Sequence, residues 1–268
     1  MSGFSTLGTA PLVLALVAVL AYAVAAASVD ERVRWPAPAL LAGGLLHAAL
    51  LVLDIGGWGR AEPGARLGFG PVLSLAVWLM VAVHAIESRF VPLPAVRRVL
   101  AIAGAAVVLL AWAFPGEVRP MASPWAPLHW VLGVASYGLF GAAVLHATML
   151  DAAERQMRLR AAPAAGPLGM PLLRLERLTF RFVEAGFVVL TLALALGFVT
   201  AARWRLDHKT VFSLLGWGVF AALLGGRLLR GWRGRRATRW LYVGTALLLL
   251  AYVGSRFVFE VVLGRSVS

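Results

Sequence analysis

The 268-residue chain contains no cysteine. That excludes a structural disulfide, a thiolate metal centre and covalent CxxCH attachment of a haem. A metal or haem iron would have to find histidine, carboxylate or methionine ligands. Charge is also scarce. Only 14% of residues are charged, against about 25% in soluble domains, while 61% are apolar and the mean hydropathy is +0.84. Acidic residues are fewest, 12 against 25 Lys and Arg, a formal net charge of +13. This excess does not signal nucleic-acid binding, because the arginines lie between the hydrophobic runs, where membrane topology would put them. No connection is long enough to hold a soluble catalytic domain. No Ser/His/Asp arrangement, HExxH or phosphate-cradling glycine loop appears; Gly56-Gly57 and Gly225-Gly226 are lone pairs in or beside apolar runs. An enzyme is therefore the least supported class. Met1 to Gly8 has no Lys or Arg, so the first apolar run lacks the basic segment of a cleaved signal peptide and is expected to be a retained helix.

What the chain does have is a series of nearly charge-free runs of about 20 residues, the length needed to cross a bilayer core. Eight spans are predicted: Gly8–Ser28, Pro36–Ile55, Phe69–Ser88, Val99–Phe114, Pro127–Asp151, Phe182–Ala202, Thr210–Leu229 and Trp240–Leu263. The fold expected is an all-α, polytopic helix bundle, one transmembrane domain over residues 1–268, in a bacterial inner membrane. The first, third, fifth and seventh connections hold 17 Lys and Arg, counting Arg227 at the edge of the seventh span; the others, with both termini, hold 7, and Arg256 inside the last span is not counted. The positive-inside bias then puts both termini outward, on the periplasmic side. In the longest connection, Leu172 to Leu178 reads as a basic amphipathic helix on the inner leaflet, so membrane lipid is an expected partner.

Polar groups inside spans are costly and point to function. All five histidines draw attention. His47 is mid-span in helix 2, with Asp54 two turns on and able to orient it. His84 and His146 lie in the cytoplasmic halves of helices 3 and 5. His129 is at the outer edge of helix 5, and His208 precedes helix 7. The histidines thus fall at an inner and an outer depth, an arrangement that suits a porphyrin, which needs imidazole for its iron and an apolar slot with a cationic rim. Gly133 and Tyr137 share a helical face with His129, and the small Gly133 would let a flat ring approach. Arg256 lies in the last span with Tyr252 and Glu260 one turn either side, placed either to clamp an anion such as a propionate or to pair with Glu260. Each histidine also has a plainer reading: His47, His84 and His146 as interhelical hydrogen-bond partners, His129 and His208 as simple boundary residues. Trp58, Trp125, Trp130 and Trp204 fit an interfacial aromatic belt.

A family resemblance adds to this reading. Leu175-Glu-Arg-Leu-Thr-Phe-Arg181, then Gly186-Phe187, Leu190-Thr191 and Gly197, leading to Trp204, Asp207, Lys209, Thr210 and Trp217, resembles the CcsA/ResC/HemX group of cytochrome c assembly membrane proteins. Leu128-His129-Trp130 with Ser136-Tyr137 is similar to that group's helix bearing an outward haem-ligand histidine. Gly231-Trp-Arg-Gly-Arg-Arg236 and Tyr252-Val-Gly-Ser-Arg256 resemble its compact YpjD branch. The resemblance covers nearly the whole chain and is strongest from His129 onward. It implies a non-covalently bound haem b with His129 as iron ligand, with Trp204, Asp207 and Tyr137 close by. The pattern departs in three places: His208 stands where the group has proline, and Leu223-Leu-Gly-Gly-Arg227 and Leu263-Gly-Arg-Ser266 hold none of the group's further histidines. Depth makes His208 the candidate substitute partner of His129, while His47, His84 and His146 remain candidates for the same or an inner site. The function expected is handling or presenting haem for cytochrome c biogenesis, with other assembly proteins as partners. The alternative is an accessory or regulatory membrane subunit, sensing haem as HemX-like proteins do or stabilising another complex. A secondary transporter is weakened by the lack of inverted repeats.

Overall fold

The computed structural model describes residues 9–27, 34–56, 65–66, 68–89, 93–116, 118–119, 125–158, 172–200, 207–254 and 257. They form eight α-helices: α1 Thr9–Ala26, α2 Pro36–Gly56, α3 Phe69–Glu87, α4 Pro94–Ala113, α5 Ala126–Arg158, α6 Leu172–Thr200, α7 His208–Arg230 and α8 Gly234–Leu249, the last running into a π-helical turn, Leu250–Gly254. Six of them, α2 to α7, are long and apolar enough to cross a membrane, and α1 is a shorter apolar helix. This is the polytopic helical bundle that the hydropathy predicts. Pro36, Pro94 and Pro127 fall in first turns, where a missing N–H leaves no helical bond unmade.

Several helices overrun their predicted spans. α4 starts at Pro94, taking in Arg97 and Arg98, α5 continues to Arg158 and α8 starts at Gly234. Leu172 to Leu178 is helical as expected, but it forms the first turns of α6 and is not separated from the span that begins at Phe182. The reason is physical: hydropathy ends a span at the first charges, whereas the i→i−4 ladder continues wherever side chains permit it. At the end of α5 the i,i+4 pair Glu154–Arg158 supports that continuation.

The chain divides into two compact units, residues 1–122 with 259–268, and residues 123–258. In the first, α1 packs on α2 and α4, and α3 packs on α2 and α4. Its core is pinned by one polar chain. The Tyr22 hydroxyl lies 3.0 Å from His47 Nδ1, and His47 Nε2 lies 2.7 Å from the Ser74 hydroxyl, which ties α1, α2 and α3 together. Between α2 and α3, and after α4, two short strands, β1 Ala65–Arg66 and β2 Val118–Arg119, pair antiparallel with Ala65 opposite Arg119.

The second unit holds α5 to α8. Phe140 of α5 and Phe220 of α7, both fully buried, stack with centroids 3.8 Å apart and planes 9° from parallel. The stack is possible because helices on either side present glycine: a Cβ on Gly186 of α6 would lie 3.0 Å from the Phe140 ring, and one on Gly244 of α8 would lie 2.8 Å from Phe220. At one end of this unit the polar groups interlock. Asp151 of α5 accepts from Thr238 at 3.0 Å and Tyr242 at 2.8 Å, both on α8. Glu176 of α6 meets Arg227 of α7 at 3.0 Å, and the Arg227 guanidinium lies 3.5 Å over the Phe180 ring. Gly231, in the left-handed region at φ 63°, turns the chain from α7 into α8.

Candidate haem-ligand site at the head of α5

α5 is 33 residues long, so it extends about 50 Å, well beyond a ~30 Å hydrocarbon core. His129 sits in its first turn and His146 lies about 25 Å further along the axis. The half-buried His129 imidazole lies against α6, with Nδ1 2.9 Å from the carbonyl oxygen of Ala193. A carbonyl only accepts, so Nδ1 carries the proton and Nε2 keeps its lone pair. Metal-ligating imidazoles generally have this arrangement, with one N–H on a carbonyl and the other nitrogen facing the metal. Gly197 makes the approach possible: a Cβ there would stand 2.9 Å from the ring's Cε1. One turn along α5, a Cβ on Gly133 would meet nothing within 4 Å. The His129 ring is thus seated on α6, while the helix surface at Gly133 carries no side chain and is open.

The other predicted site residues are placed differently. Tyr137 donates its hydroxyl to the Leu248 carbonyl at 2.7 Å, tying α5 to the end of α8, so its oxygen is spent on backbone where α8 gives way to the π turn. Asp207 caps α7: its Oδ1 accepts from the Thr210 N–H and the Thr210 hydroxyl, each at 2.9 Å. Desolvation pushes this carboxyl upward, but the two Thr210 hydrogen bonds, with Lys209 and His208 nearby, outweigh it and hold the carboxyl below its usual range. His208 is the exposed first residue of α7. α7 runs antiparallel to α6, with Trp217 donating to Thr191 and Arg227 meeting Glu176, so His208 begins α7 at the end of the unit where α6 finishes. Trp204 and Arg256, with Glu260, lie outside the described residues.

His47 is engaged on both nitrogens by Tyr22 and Ser74. Asp54, expected to orient it, instead pairs with Arg66 of β1 at 3.5 Å. Two turns of helix separate the two residues by about 10 Å, too far for a direct bond. His84 is buried in the last turn of α3. His146 is buried with Nδ1 2.8 Å from its own-helix Ala142 carbonyl and its ring tilted over Phe182, centroids 5.2 Å apart. Near the middle of α5, it shares the tautomer of His129. Among the described residues no three His, Asp or Glu side chains gather as a metal site. The sequence reading missed the Ala193 carbonyl, and it missed that Gly197 admits the His129 ring.

A family model described as cytochrome C assembly protein matches residues 70–263. The chain belongs to this family. It is a cytochrome c assembly-type, multi-pass protein of the inner membrane, similar to the inner membrane protein YpjD of Escherichia coli K12 (31% identical over 202 residues, 73% of this chain and 75% of that one). It is also similar to an uncharacterized 28.8 kDa protein of Azospirillum brasilense (30% over 235 residues; 80% and 85%) and to the cytochrome c biogenesis protein CcsA of Synechococcus sp. CC9902 (26% over 284 residues; 93% and 92%). No solved structure matches the chain. The matched region includes both His129 and Gly197, so the head of α5 and its seat on α6 lie within the family's shared part.

Proposed function

We propose that this family member binds haem b non-covalently at the head of α5 and holds it for transfer to other assembly proteins during cytochrome c maturation, acting as a binding protein and not as an enzyme. The observation that carries this reading is the His129 imidazole, whose Nδ1–H is held by the Ala193 carbonyl so that Nε2 is left as the ligating atom. Haem, when bound, supplies an iron that accepts that lone pair. Ala193 fixes the tautomer, Gly197 admits the ring and Gly133 leaves room along the helix. His208, exposed at the same end, is the second residue able to offer a nitrogen. His47 is not assigned a ligand role, since its nitrogens already hold three helices together.

The test is the absorption spectrum of the detergent-purified protein. His129→Ala is expected to remove or shift the Soret band, and added imidazole to restore part of it. His84→Ala should leave the band in place. Each variant is compared at a matched size-exclusion profile. An unchanged haem content in His129→Ala would refute the assignment. A parent that never takes up supplied haem would favour the accessory-subunit reading, to which the spent hydroxyl of Tyr137 and the capping role of Asp207 already lend support.

The same reading requires the head of α5 to face outward, in line with the distribution of basic residues. A phosphatase fused after Ser268 is then expected to be active, and a fluorescent protein that matures only in the cytoplasm to stay dark. The opposite pattern would turn the site inward.

A further inference from the structure

The first three turns of α6 use only one of their faces in packing. Leu175, Thr179, Phe180 and Val183 are buried, and Glu176 is held by Arg227 and, at 3.7 Å, by Arg233. Arg174, Arg177 and Arg181 are exposed, and none meets an acidic partner among the described residues. Their i, i+3, i+7 spacing confines the three guanidiniums to a strip roughly 60° wide and about 10 Å long. Leu173 and Leu178 flank the strip, and the five residues line an open cleft of about 390 Å³. The buried face fixes the rotation of the helix, so the three arginines share one exposed side of it. An anion would relieve their mutual repulsion.

We propose that this strip binds the headgroup phosphate of an anionic glycerophospholipid, with Leu178, which lies between Arg177 and Arg181 along the helix, against the first methylenes of its chains. Three observations select this occupant. Guanidinium forks match phosphate oxygens in pairs of hydrogen bonds. The leucine borders suit an amphiphile, whereas a free phosphate would gain nothing from them. The strip also ends at Arg181, where the remainder of α6, Phe182 to Thr200, becomes apolar apart from Glu184. That puts Arg181 and Arg177 at headgroup depth, with Leu178 within reach of the acyl region and Arg174 one turn further out.

The experiment uses the full chain, purified in a neutral detergent and stripped of lipid, and reads thermal stability and retained lipid by native mass spectrometry during titration with phosphatidylglycerol, phosphatidylcholine or inorganic phosphate. Phosphatidylglycerol is expected to raise the melting temperature and remain bound; the other two are not. Each arginine contributes about a fivefold gain in affinity for an anionic surface, so Arg174→Gln/Arg177→Gln/Arg181→Gln together should weaken binding by about a hundredfold. The control Arg230→Gln/Arg235→Gln/Arg239→Gln removes the same charge from exposed positions elsewhere in the unit and should retain binding. Equal stabilisation by phosphatidylcholine or by inorganic phosphate, or an equal loss in the control, would overturn the proposal. Should the triple variant fail to fold, Arg177→Lys carries the test. It keeps the charge but not the fork, so several-fold weaker phosphatidylglycerol binding is expected, and undiminished binding refutes the site.

Discussion

Phe220→Ala is expected to cost about 2–4 kcal/mol. A buried Phe→Ala change in a soluble core costs about 3–5 kcal/mol. Here the transfer part is smaller, because separated helices would still leave the ring in lipid. What remains is the lost stacking on Phe140 at 3.8 Å and the cavity between α5, α7 and α8. The cavity cannot collapse easily, since glycine already brings the helix backbones close at Gly186 and Gly244. Thermal unfolding in detergent, followed by size exclusion, measures the effect. Overpacking tests the same geometry from the other side. Gly244→Val would push a methyl group into the Phe220 ring, which has Phe140 behind it and the Gly186 backbone behind that. A cost of about 1–3 kcal/mol is expected. In a Phe220→Leu background that cost should shrink by more than the few tenths expected of independent sites. Strictly additive costs would show that the ring is free to move and that the sandwich is not what holds the unit together.

That sandwich shows where sequence reading works and where it stops. The six long helices α2 to α7 are legible because a bilayer imposes one strong condition, about 20 apolar residues per crossing. The helix ends are less so. Arg98, Asp151 and Arg181 bound the apolar runs, but the backbone hydrogen bonds of α4, α5 and α6 do not stop there. His129 is legible as a candidate because it stands at the edge of an apolar run and the residues around it match the family pattern. Tyr137 and Asp207 belong to the same pattern, but residue type does not say which acceptor a hydroxyl reaches or whether a carboxylate faces a ligand or a helix end. One caps α8's carbonyl and the other α7's N-terminus. Asp54 illustrates a third limit. Helical periodicity puts it on the His47 side of α2, yet its partner comes from β1, and no periodicity argument reaches across a turn to find Arg66. The tautomer of His129 is the least legible feature, because its determinant is a backbone carbonyl and every residue has one.

Gly197→Ala is expected to separate stability from haem retention, with opposite signs. Replacing an interior helical glycine by alanine adds about 0.5–1 kcal/mol of helix stability. The nearest neighbours of the new methyl are atoms of the His129 ring, Cε1 at 2.9 Å and Nδ1 at 3.3 Å. That ring is the end of a rotatable side chain in the first turn of α5, so it can swing aside at little cost to the fold. In swinging it leaves the Ala193 carbonyl, and the imidazole loses the bond that sets its tautomer and aim. Loss of such a supporting bond typically costs 10–100-fold in metal affinity. The melting temperature of Gly197→Ala without haem should therefore equal or exceed that of the parent, while its Soret absorbance per protein falls about tenfold or more under limiting haem. Gly218→Ala, where a Cβ meets nothing within 4 Å, should change neither retention nor spectrum. In a His129→Ala background, Gly197→Ala should raise stability and have no further effect on haem. If Gly197→Ala retains haem as the parent does while His129→Ala does not, His129 is the ligand but the Ala193 carbonyl does not aim it. If neither change affects haem, the iron is bound elsewhere.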